Sequence, residues 1–272
     1  MAMQFLNCEE SPSGLAEYFW PAENAMGSVV LQHGFAEYAE RYATQYSQLI
    51  PRLNQAGFDV HAFDLPGHGR SPGDRRQVDI EQAVQANLAF RRRLLSDKPT
   101  FLFGHSLGGA VTAASLLRDS RNVAGVALSG PALIRLPSFL AAGVSKVASR
   151  YPAMPFKNLA PNAMTKSQEI LAAVDSDPMM CRGKMPLGLI ASLCRENLRT
   201  WKNAGNWSVP TLLIHGSKDK YTNPNDTKRF FEAIHSSDKT LNIIDGAFHE
   251  TLNDPNGDAT AAEIVNWLKN HV

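Results

Sequence analysis

The sequence has little of what marks several protein classes. It contains three cysteines, and its 27 basic residues almost balance 26 acidic ones, for a formal net charge of +1. So small a charge creates no global field that attracts nucleic acid or anionic lipid. No apolar run approaches the roughly 18 residues that a membrane-spanning helix needs, so no transmembrane segment is predicted. With 19 glycines and 16 prolines among 272 residues, the chain is neither collagen-like nor of low complexity.

The cysteines and the N-terminus indicate a compartment. Cys8, Cys181 and Cys194 cannot all pair, form no CxxC motif and are not accompanied by a histidine cluster. They are typical of free thiols in a reducing compartment. Residues 1–14 have neither the basic nor the long apolar region of a signal peptide. We therefore expect a cytoplasmic protein.

What the chain does have is a regular alternation of strand and helix patterns. Buried-strand patterns lie at Ser28–Gln32, Phe58–Phe63, Thr100–Gly104, Val123–Ser129, Thr211–His215 and Leu241–Ile244, after a hairpin over Gln4–Cys8 and Leu15–Trp20. Helix patterns lie at Tyr42–Ala56 (with Pro51 as a kink position), Ile80–Leu95, Leu107–Leu117, Thr227–Ile234 and Ala259–Lys269. This alternation predicts βαβ units, and so an α/β fold with a mostly parallel sheet.

The alternation breaks between Pro131 and Ser208. This stretch favours helix and contains no clear buried-strand pattern. We interpret it as an insertion after the strand Val123–Ser129. Residues 1–130 and 209–272 then form the core, and residues 131–208 form an inserted helical domain.

Three consecutive arginines, Arg91–Arg93, lie near the end of the helix Ile80–Leu95. They can be read as a nucleic-acid patch. The preferred interpretation is a solvated face, because cations are favourable near the negative C-terminal end of a helix. No nucleic-acid partner is expected.

Residues Gly104–Gly109 read Gly-His-Ser-Leu-Gly-Gly and contain the pattern G-x-S-x-G around Ser106. The chemistry needs a serine on a tight turn between a strand and a helix. Small flanking residues allow that crowded backbone, and the helix N-terminus lies beneath the developing negative charge. The pattern is weak alone, but here a strand precedes it and a helix follows it. Ser106 is therefore the candidate nucleophile.

A nucleophilic serine needs a histidine base and an acid that orients it, and in this type of turn they follow in the order serine, acid, histidine. Asp219 comes just after the strand Thr211–His215, and His249 comes after the strand Leu241–Ile244. The carboxyl ends of parallel strands collect functional groups at one edge of a sheet. We select Asp219 as the acid and His249 as the base.

Other acids and histidines fit less well. Asp245 lies close to its strand and is interpreted as structural, and no acid follows the strand Val123–Ser129. His105 is expected to point away from Ser106 along the turn. The remaining competitors are interpreted as solvated or capping acids, as histidines in strands, or as histidines in late polar segments: Asp226, Asp254, His61, His215, His235 and His271.

Acyl transfer also needs two donors for the oxyanion of the tetrahedral intermediate. One is expected to be the backbone N–H of Leu107, directly after the nucleophile. The other should come from the loop after an early strand, which makes the N–H of Phe35 the candidate. Each such donor typically stabilises the transition state by about 3–4 kcal/mol.

Five segments carry a family pattern. They are HGFAEYAERY at His33–Tyr42, DLPGHGRSPGDR at Asp64–Arg75, GHSLGG at Gly104–Gly109, HGSKD at His215–Asp219 and FHETLND at Phe248–Asp254. Together they resemble the α/β-hydrolase superfamily, in particular its monoacylglycerol lipase and lysophospholipase-like branch. The resemblance implies an eight-stranded, mostly parallel sheet with helices on both faces and a helical cap after the sixth strand, where residues 131–208 lie. It also implies that Glu37, Arg41 and Tyr42 help to hold the loop that carries the oxyanion donor.

The resemblance further implies hydrolysis of monoacylglycerol-type esters to fatty acid and glycerol, with no metal and no cofactor. Alternatives on the same scaffold are a lysophospholipase, a general carboxylesterase and a thioesterase. Haloalkane dehalogenase and epoxide hydrolase fit less well, because they carry aspartate where this chain has Ser106. A non-catalytic ligand sensor is the rival from a different class.

The insertion is rich in methionine, an adaptable side chain that suits a site for flexible acyl chains. Packing of the insertion onto the core would explain the same composition. We expect Met154, Met179, Met180, Leu187 and Ile190 to contact a small lipid ester. Exposed apolar residues here would also allow transient contact with a membrane surface, although no basic amphipathic face supports strong binding.

Overall fold

An eight-stranded sheet forms the centre of the molecule. The computed structural model describes residues 2–74, 78–94, 97–158, 160–181 and 183–272. The strands of this part of the chain are β1 Gln4–Leu6, β2 Glu17–Trp20, β3 Gly27–Gln32, β4 Phe58–Phe63, β5 Thr100–His105, β6 Val123–Ser129, β7 Pro155–Asn158, β8 Lys184–Pro186, β9 Thr211–Gly216 and β10 Lys239–Ile244. The sheet order is β1-β2-β4-β3-β5-β6-β9-β10. β2 runs antiparallel to β1 and β4, and the other neighbours are parallel.

Helices cover both faces of the sheet. They are α1 Arg41–Thr44, α2 Leu49–Gln55, α3 Ile80–Arg93, α4 Leu107–Arg118, α5 Ser138–Arg150, α6 Gln168–Ser176, α7 Leu187–Asn203, α8 Pro224–Ala233 and α9 Gly257–Lys269. Side chains of a strand alternate between faces, so Val30 of β3 joins the core under α3, α4 and α8, while Leu31 joins the core under α2 and α9. Parallel strands covered on both sides need continuous apolar runs, which explains why β3, β5 and β9 are buried throughout. The predicted fold class is confirmed.

The predicted strands and most helices lie within a few residues of the observed ones, and Leu95 lies outside the described residues. The continuous helix predicted over Tyr42–Ala56 is wrong. Between α1 and α2, residues 46–48 have φ values of 50°, 50° and 51°. The N–H of Tyr46 donates to the Asn253 side chain, and the Ser47 hydroxyl donates to the Leu252 carbonyl at 2.8 Å. These distant contacts stabilise a backbone that local propensity does not favour.

The segment between β6 and β9 contains α5, α6, α7 and a small antiparallel pair, β7 and β8, separate from the main sheet. No clear buried-strand pattern announces this pair in the sequence, because its strands have only four and three residues and each contains a proline. α7 contacts α3, where the Ser192 hydroxyl accepts the N–H of Ile80 at 2.8 Å. The Asn197 amide also donates to the Ala132 carbonyl, just after β6, at 2.9 Å.

The arginine run is not a solvated face throughout. Arg91 is buried, and its guanidinium donates to the backbone carbonyls of Ser115 and Asp119 at the end of α4. Burial lowers the pKa of Arg91 to about 10. Arg92 pairs with the Asp119 carboxylate and Arg93 with Glu17. The prediction is therefore wrong for Arg91, which ties α3 to α4.

Candidate active site

Ser106 lies on the turn between β5 and α4. Its backbone has φ 53° and ψ −117°, a conformation that is rare outside glycine and recurs at functional turns. The Ser106 N–H donates to the Ser129 carbonyl at 3.0 Å, which fixes the turn against β6. A Cβ at Gly108 would lie 2.2 Å from the Gln32 carbonyl oxygen. Glycine is therefore required for α4 to approach the end of β3.

The structure brings the three predicted catalytic side chains together. The Ser106 Oγ lies 2.8 Å from His249 Nε2, and His249 Nδ1 lies 2.7 Å from Asp219 Oδ2. Asp219 follows β9 and His249 follows β10, so neighbouring strand ends supply the acid and the base. Both side chains are almost completely buried. The arrangement can pass a proton from a serine hydroxyl to an imidazole whose charged form faces a carboxylate.

Burial and charge act in opposite directions on this pair. Burial alone lowers the pKa of His249, but the Asp219 charge and hydrogen bond outweigh it and hold the pKa above its ordinary value of 6.5. Burial alone raises the pKa of Asp219, but His249 and a hydrogen bond from His215 hold it well below its usual range. Asp219 is therefore ionised at neutral pH.

The loop after β3 passes close to the nucleophile. A Cβ at Gly34 would lie 3.1 Å from the Ser106 Cβ, and Phe35 and Leu107 both border the space above Ser106. The two predicted oxyanion donors therefore flank the nucleophile. Their role as donors remains a prediction.

Buried polar groups hold this loop from below. The Gly34 N–H donates to a Glu37 carboxylate oxygen at 2.6 Å, and the Tyr42 hydroxyl donates to the same oxygen at 2.9 Å. The Arg41 guanidinium donates to the other oxygen at 2.9 Å. These contacts agree with the supporting role that the family resemblance implies for the three residues.

Glu250 was not anticipated from the sequence. Its carboxylate accepts from the Tyr46 hydroxyl at 2.7 Å, from the Asn253 amide at 2.6 Å and from Arg41 Nη1 at 3.4 Å. Arg41 thus lies between Glu37 of the loop after β3, which we call the oxyanion loop for its predicted donor, and Glu250 of the loop after β10, which we call the histidine loop. The available sequence signals were its position next to His249 and its place in the FHETLND segment.

Asp219 accepts hydrogen bonds from several groups besides His249. Its Oδ2 lies 2.7 Å from the Thr222 hydroxyl and 3.0 Å from His215 Nε2, and its Oδ1 accepts the N–H groups of Tyr221 and Thr222. His215 had been interpreted only as a strand histidine. The HGSKD segment contains both residues, and that motif was the signal that sequence reasoning did not use.

The competing residues occupy other roles. His105 Nδ1 donates to the Ser129 carbonyl at 3.0 Å, and the His105 ring lies 4.9 Å from that of His249. Burial lowers the pKa of His105 to about 4, so it is neutral beside the base. Asp254, expected to be solvated or capping, is buried and accepts the N–H of Phe248 at 2.6 Å and of Lys166 at 2.7 Å. It is a structural acid, because it shapes the loop before His249.

A cavity of about 460 Å³ opens above Ser106. Apolar side chains of the segment between β6 and β9 form much of its wall: Ile134, Met164, Leu171, Val174, Met180, Met185, Ile190 and Leu193. Charged and polar side chains also border it: Glu37, Arg41, Lys157, Asp175, Tyr221 and Glu250. This volume and lining are in the range of small-molecule sites.

The five substrate-contact predictions separate into two groups. Met180 and Ile190 line the cavity. Among the described lining residues, Met154, Met179 and Leu187 do not occur, so these three side chains are not part of the cavity wall. Leu187 packs between α5 and α7, Met179 packs against the cluster around Tyr38, and Met154 is exposed before β7.

Within the described ranges, no group of three or more histidine, cysteine, aspartate or glutamate side chains is arranged to hold a metal ion. In the same ranges, no helix has the length and apolar character needed to cross a bilayer.

Comparison with known families decides the membership of the chain. A family model described as serine aminopeptidase, S33, matches residues 23–256. The chain belongs to this family of α/β-hydrolases. The superfamily resemblance inferred from the five sequence segments is thereby confirmed.

Several relatives and solved structures resemble this chain over most of their length. A monoacylglycerol lipase of Mycolicibacterium smegmatis is 30% identical over 259 residues, 93% of this chain and 91% of the relative. A caffeoylshikimate esterase of Arabidopsis thaliana is 28% identical, over 97% of this chain and 84% of the relative. The crystal structure of a Paleococcus ferrophilus monoacylglycerol lipase superposes with a TM-score of 0.84 at 33% identity, covering 95% of this chain and 99% of that one. This S33 member is a carboxylic ester hydrolase.

Proposed function

We propose that this protein hydrolyses monoacylglycerols to a fatty acid and glycerol through Ser106, His249 and Asp219. The observation that carries the proposal is the continuous hydrogen-bonded line from Ser106 Oγ to His249 to Asp219 at the base of an apolar cavity. Similarity to two monoacylglycerol lipases supports the choice of substrate.

The reaction begins when His249 Nε2 takes the Ser106 proton and the serine oxygen attacks the ester carbonyl. Asp219 orients His249 and stabilises its charged form, and the N–H groups of Phe35 and Leu107 bind the oxyanion. His249 then gives its proton to the departing glycerol. A water activated by His249 releases the fatty acid from the acyl-enzyme.

Residues 131–208 act in this proposal as a cap that holds the acyl chain. Its apolar wall residues, Met180 and Ile190 among them, line the cavity, whereas glycerol carries the polar end of the substrate. A neutral substrate matches the near-zero net charge, because it needs no electrostatic steering. We place the enzyme in the cytoplasm, with a small lipid ester as its substrate.

The test is a hydrolysis panel of monoacylglycerols, diacylglycerols, lysophospholipids, a caffeoyl ester and nitrophenyl esters of graded chain length. We expect the highest kcat/KM on monoacylglycerols. Ser106→Ala should lose nearly all turnover, and its residual rate should be about 10³-fold above the uncatalysed rate. If lysophospholipids or caffeoyl esters were hydrolysed faster than monoacylglycerols, the proposed substrate would be wrong. Full activity of Ser106→Ala would remove the proposed nucleophile.

A further inference from the structure

His215 has no part in the mechanism above, yet it contacts the acid directly. It lies in β9 with its side chain fully buried, and its Nε2 is 3.0 Å from Asp219 Oδ2. Its Nδ1 is 2.8 Å from the hydroxyl of Thr227 in α8. His249 Nδ1 approaches the same carboxylate oxygen at 2.7 Å. One oxygen of Asp219 therefore lies between two imidazole rings.

The partners of His215 determine where its proton lies. Asp219 is ionised and can only accept hydrogen bonds. A lone pair on Nε2 would face that negative charge at 3.0 Å, so Nε2 carries the proton. Nδ1 then accepts the hydrogen of the Thr227 hydroxyl. A single direction of donation runs from Thr227 through His215 to Asp219, and a second runs from Ser106 through His249 to the same oxygen.

We propose that His215 is a positioning residue that fixes the orientation of the Asp219 carboxylate. Because the carboxylate charge is then shared between two imidazoles, Asp219 stabilises the charged form of His249 less strongly. The proposal rests on the function proposed above. Hydrogen bonds to a carboxylate lower the charge that it presents to other partners. Loss of the His215 donor should therefore favour the charged form of His249, whereas loss of packing alone should not change its protonation.

Other groups also face His249, and the substitution leaves all of them in place. Thr222 and Tyr221 approach from the loop after β9, and His105 approaches from β5. Glu250 follows it in the chain, and Glu37 lies near it in the oxyanion loop, both acting to raise its pKa.

Two amide substitutions of different length make a matched pair. In His215→Gln the side-chain N–H can reach Asp219 as Nε2 does. In His215→Asn the shorter amide reaches only Thr227, so the donor to Asp219 is lost. His61→Gln is the control, because His61 is also a largely buried strand histidine but stacks on Phe19, away from the site.

The measurement is kcat and KM for nitrophenyl butyrate against pH, with labelling by a fluorophosphonate probe. The acid limb is the part of the pH profile in which kcat/KM rises with pH. For His215→Asn we expect the apparent pKa of this limb to rise by about half to one pH unit. Its kcat should fall about tenfold with KM within about twofold, because the acid is less well oriented. His215→Gln and His61→Gln should keep the wild-type acid limb.

The proposal would be overturned if the apparent pKa of the acid limb were unchanged or lower in His215→Asn. An equal rise of this pKa in His215→Gln would also overturn it. If His215→Asn does not fold, Thr222→Val removes another donor to the same oxygen and must raise the acid limb likewise. A wild-type protein that neither hydrolyses the ester nor reacts with the probe would instead refute the proposed function, and this inference with it.

Discussion

The electrostatic state of His249 is set by its immediate neighbours. Burial opposes its charged form, and the Asp219 carboxylate at 2.7 Å reverses that preference. His105, whose ring is 4.9 Å away, is held neutral by burial and so adds no repulsion. A base with these surroundings gains its proton readily in the transition state and needs only to start neutral.

The pH dependence of activity follows from this state. In the proposed mechanism His249 must be neutral to accept the Ser106 proton. The value of kcat/KM should therefore rise with pH through an apparent pKa above 6.5, the ordinary value for histidine. Asp219→Asn removes the charge that raises this pKa. The acid limb should then move to lower pH, and kcat should fall by about 10⁴. A pH profile of ester hydrolysis measures both effects.

Asp245→Asn is the matched control, since Asp245 also follows a strand of the sheet but bonds to the Ser217 hydroxyl at 3.1 Å. It should keep the wild-type profile. A loss of activity in Asp245→Asn comparable to that in Asp219→Asn would contradict the assignment of the acid.

At the scale of elements, two loops from opposite ends of the chain form one site. The oxyanion loop after β3 is held by Glu37, and the histidine loop after β10 contains Glu250. Arg41 Nη1 donates to both carboxylates, at 2.9 Å and 3.4 Å. Removing one partner of a buried ion pair lowers the stability of the protein much more than removing one partner of an exposed ion pair.

Glu250→Gln should destabilise the protein by about 2 kcal/mol. The reason is that an amide replaces a buried carboxylate that accepts hydrogen bonds from Tyr46, Asn253 and Arg41. Chemical denaturation followed by fluorescence measures this change. Asp258→Asn disrupts an exposed ion pair with Arg52 at 2.7 Å and should cost less than about 1 kcal/mol. Equal losses in the two variants would show that Arg41 does not depend on Glu250.

Local sequence patterns predicted most elements and the three catalytic candidates, because strand ends and the serine turn have local signatures. They failed where distant contacts decide the conformation. Residues 46–48 are held non-helical by Leu252 and Asn253. Arg91 is buried against α4, and His215 bonds to an acid in the following loop. None of these contacts produces a repeating pattern of residues that could be recognised in the sequence.

At the scale of the whole molecule, the cavity lies between the carboxyl edge of the sheet and the inserted segment. Ser106, His249 and the oxyanion loop form its base, and α6, α7 and their connections supply its apolar wall. The Cys181 N–H donates to the Ala36 carbonyl at 2.9 Å, and the Tyr38 hydroxyl donates to Asp177 at 2.6 Å. The inserted segment thus contacts the oxyanion loop directly.

The size of this cavity should limit the acyl chain. Ile190 of α7 lines the cavity and is almost fully buried. Ile190→Trp should lower kcat/KM for long-chain esters at least about tenfold more than for a butyrate ester, since added bulk displaces distal methylenes. Met154→Trp is the control, because Met154 is exposed and lies outside the described lining. A chain-length profile that shifts equally in both variants would argue against this acyl site.

The pairing of Arg41 with Glu250 also bears on how the enzyme is made. The two residues are 209 positions apart, and His249 lies beside the later one. A protein is synthesised from its N-terminus, so the serine turn and Arg41 leave the ribosome long before the base and the second carboxylate. The nascent chain consequently contains Ser106, the proposed nucleophile, before it contains His249, the proposed base. In the proposed mechanism, catalysis begins only after residues 239–250 have been made and folded, and fragments that end before β10 lack the proposed base.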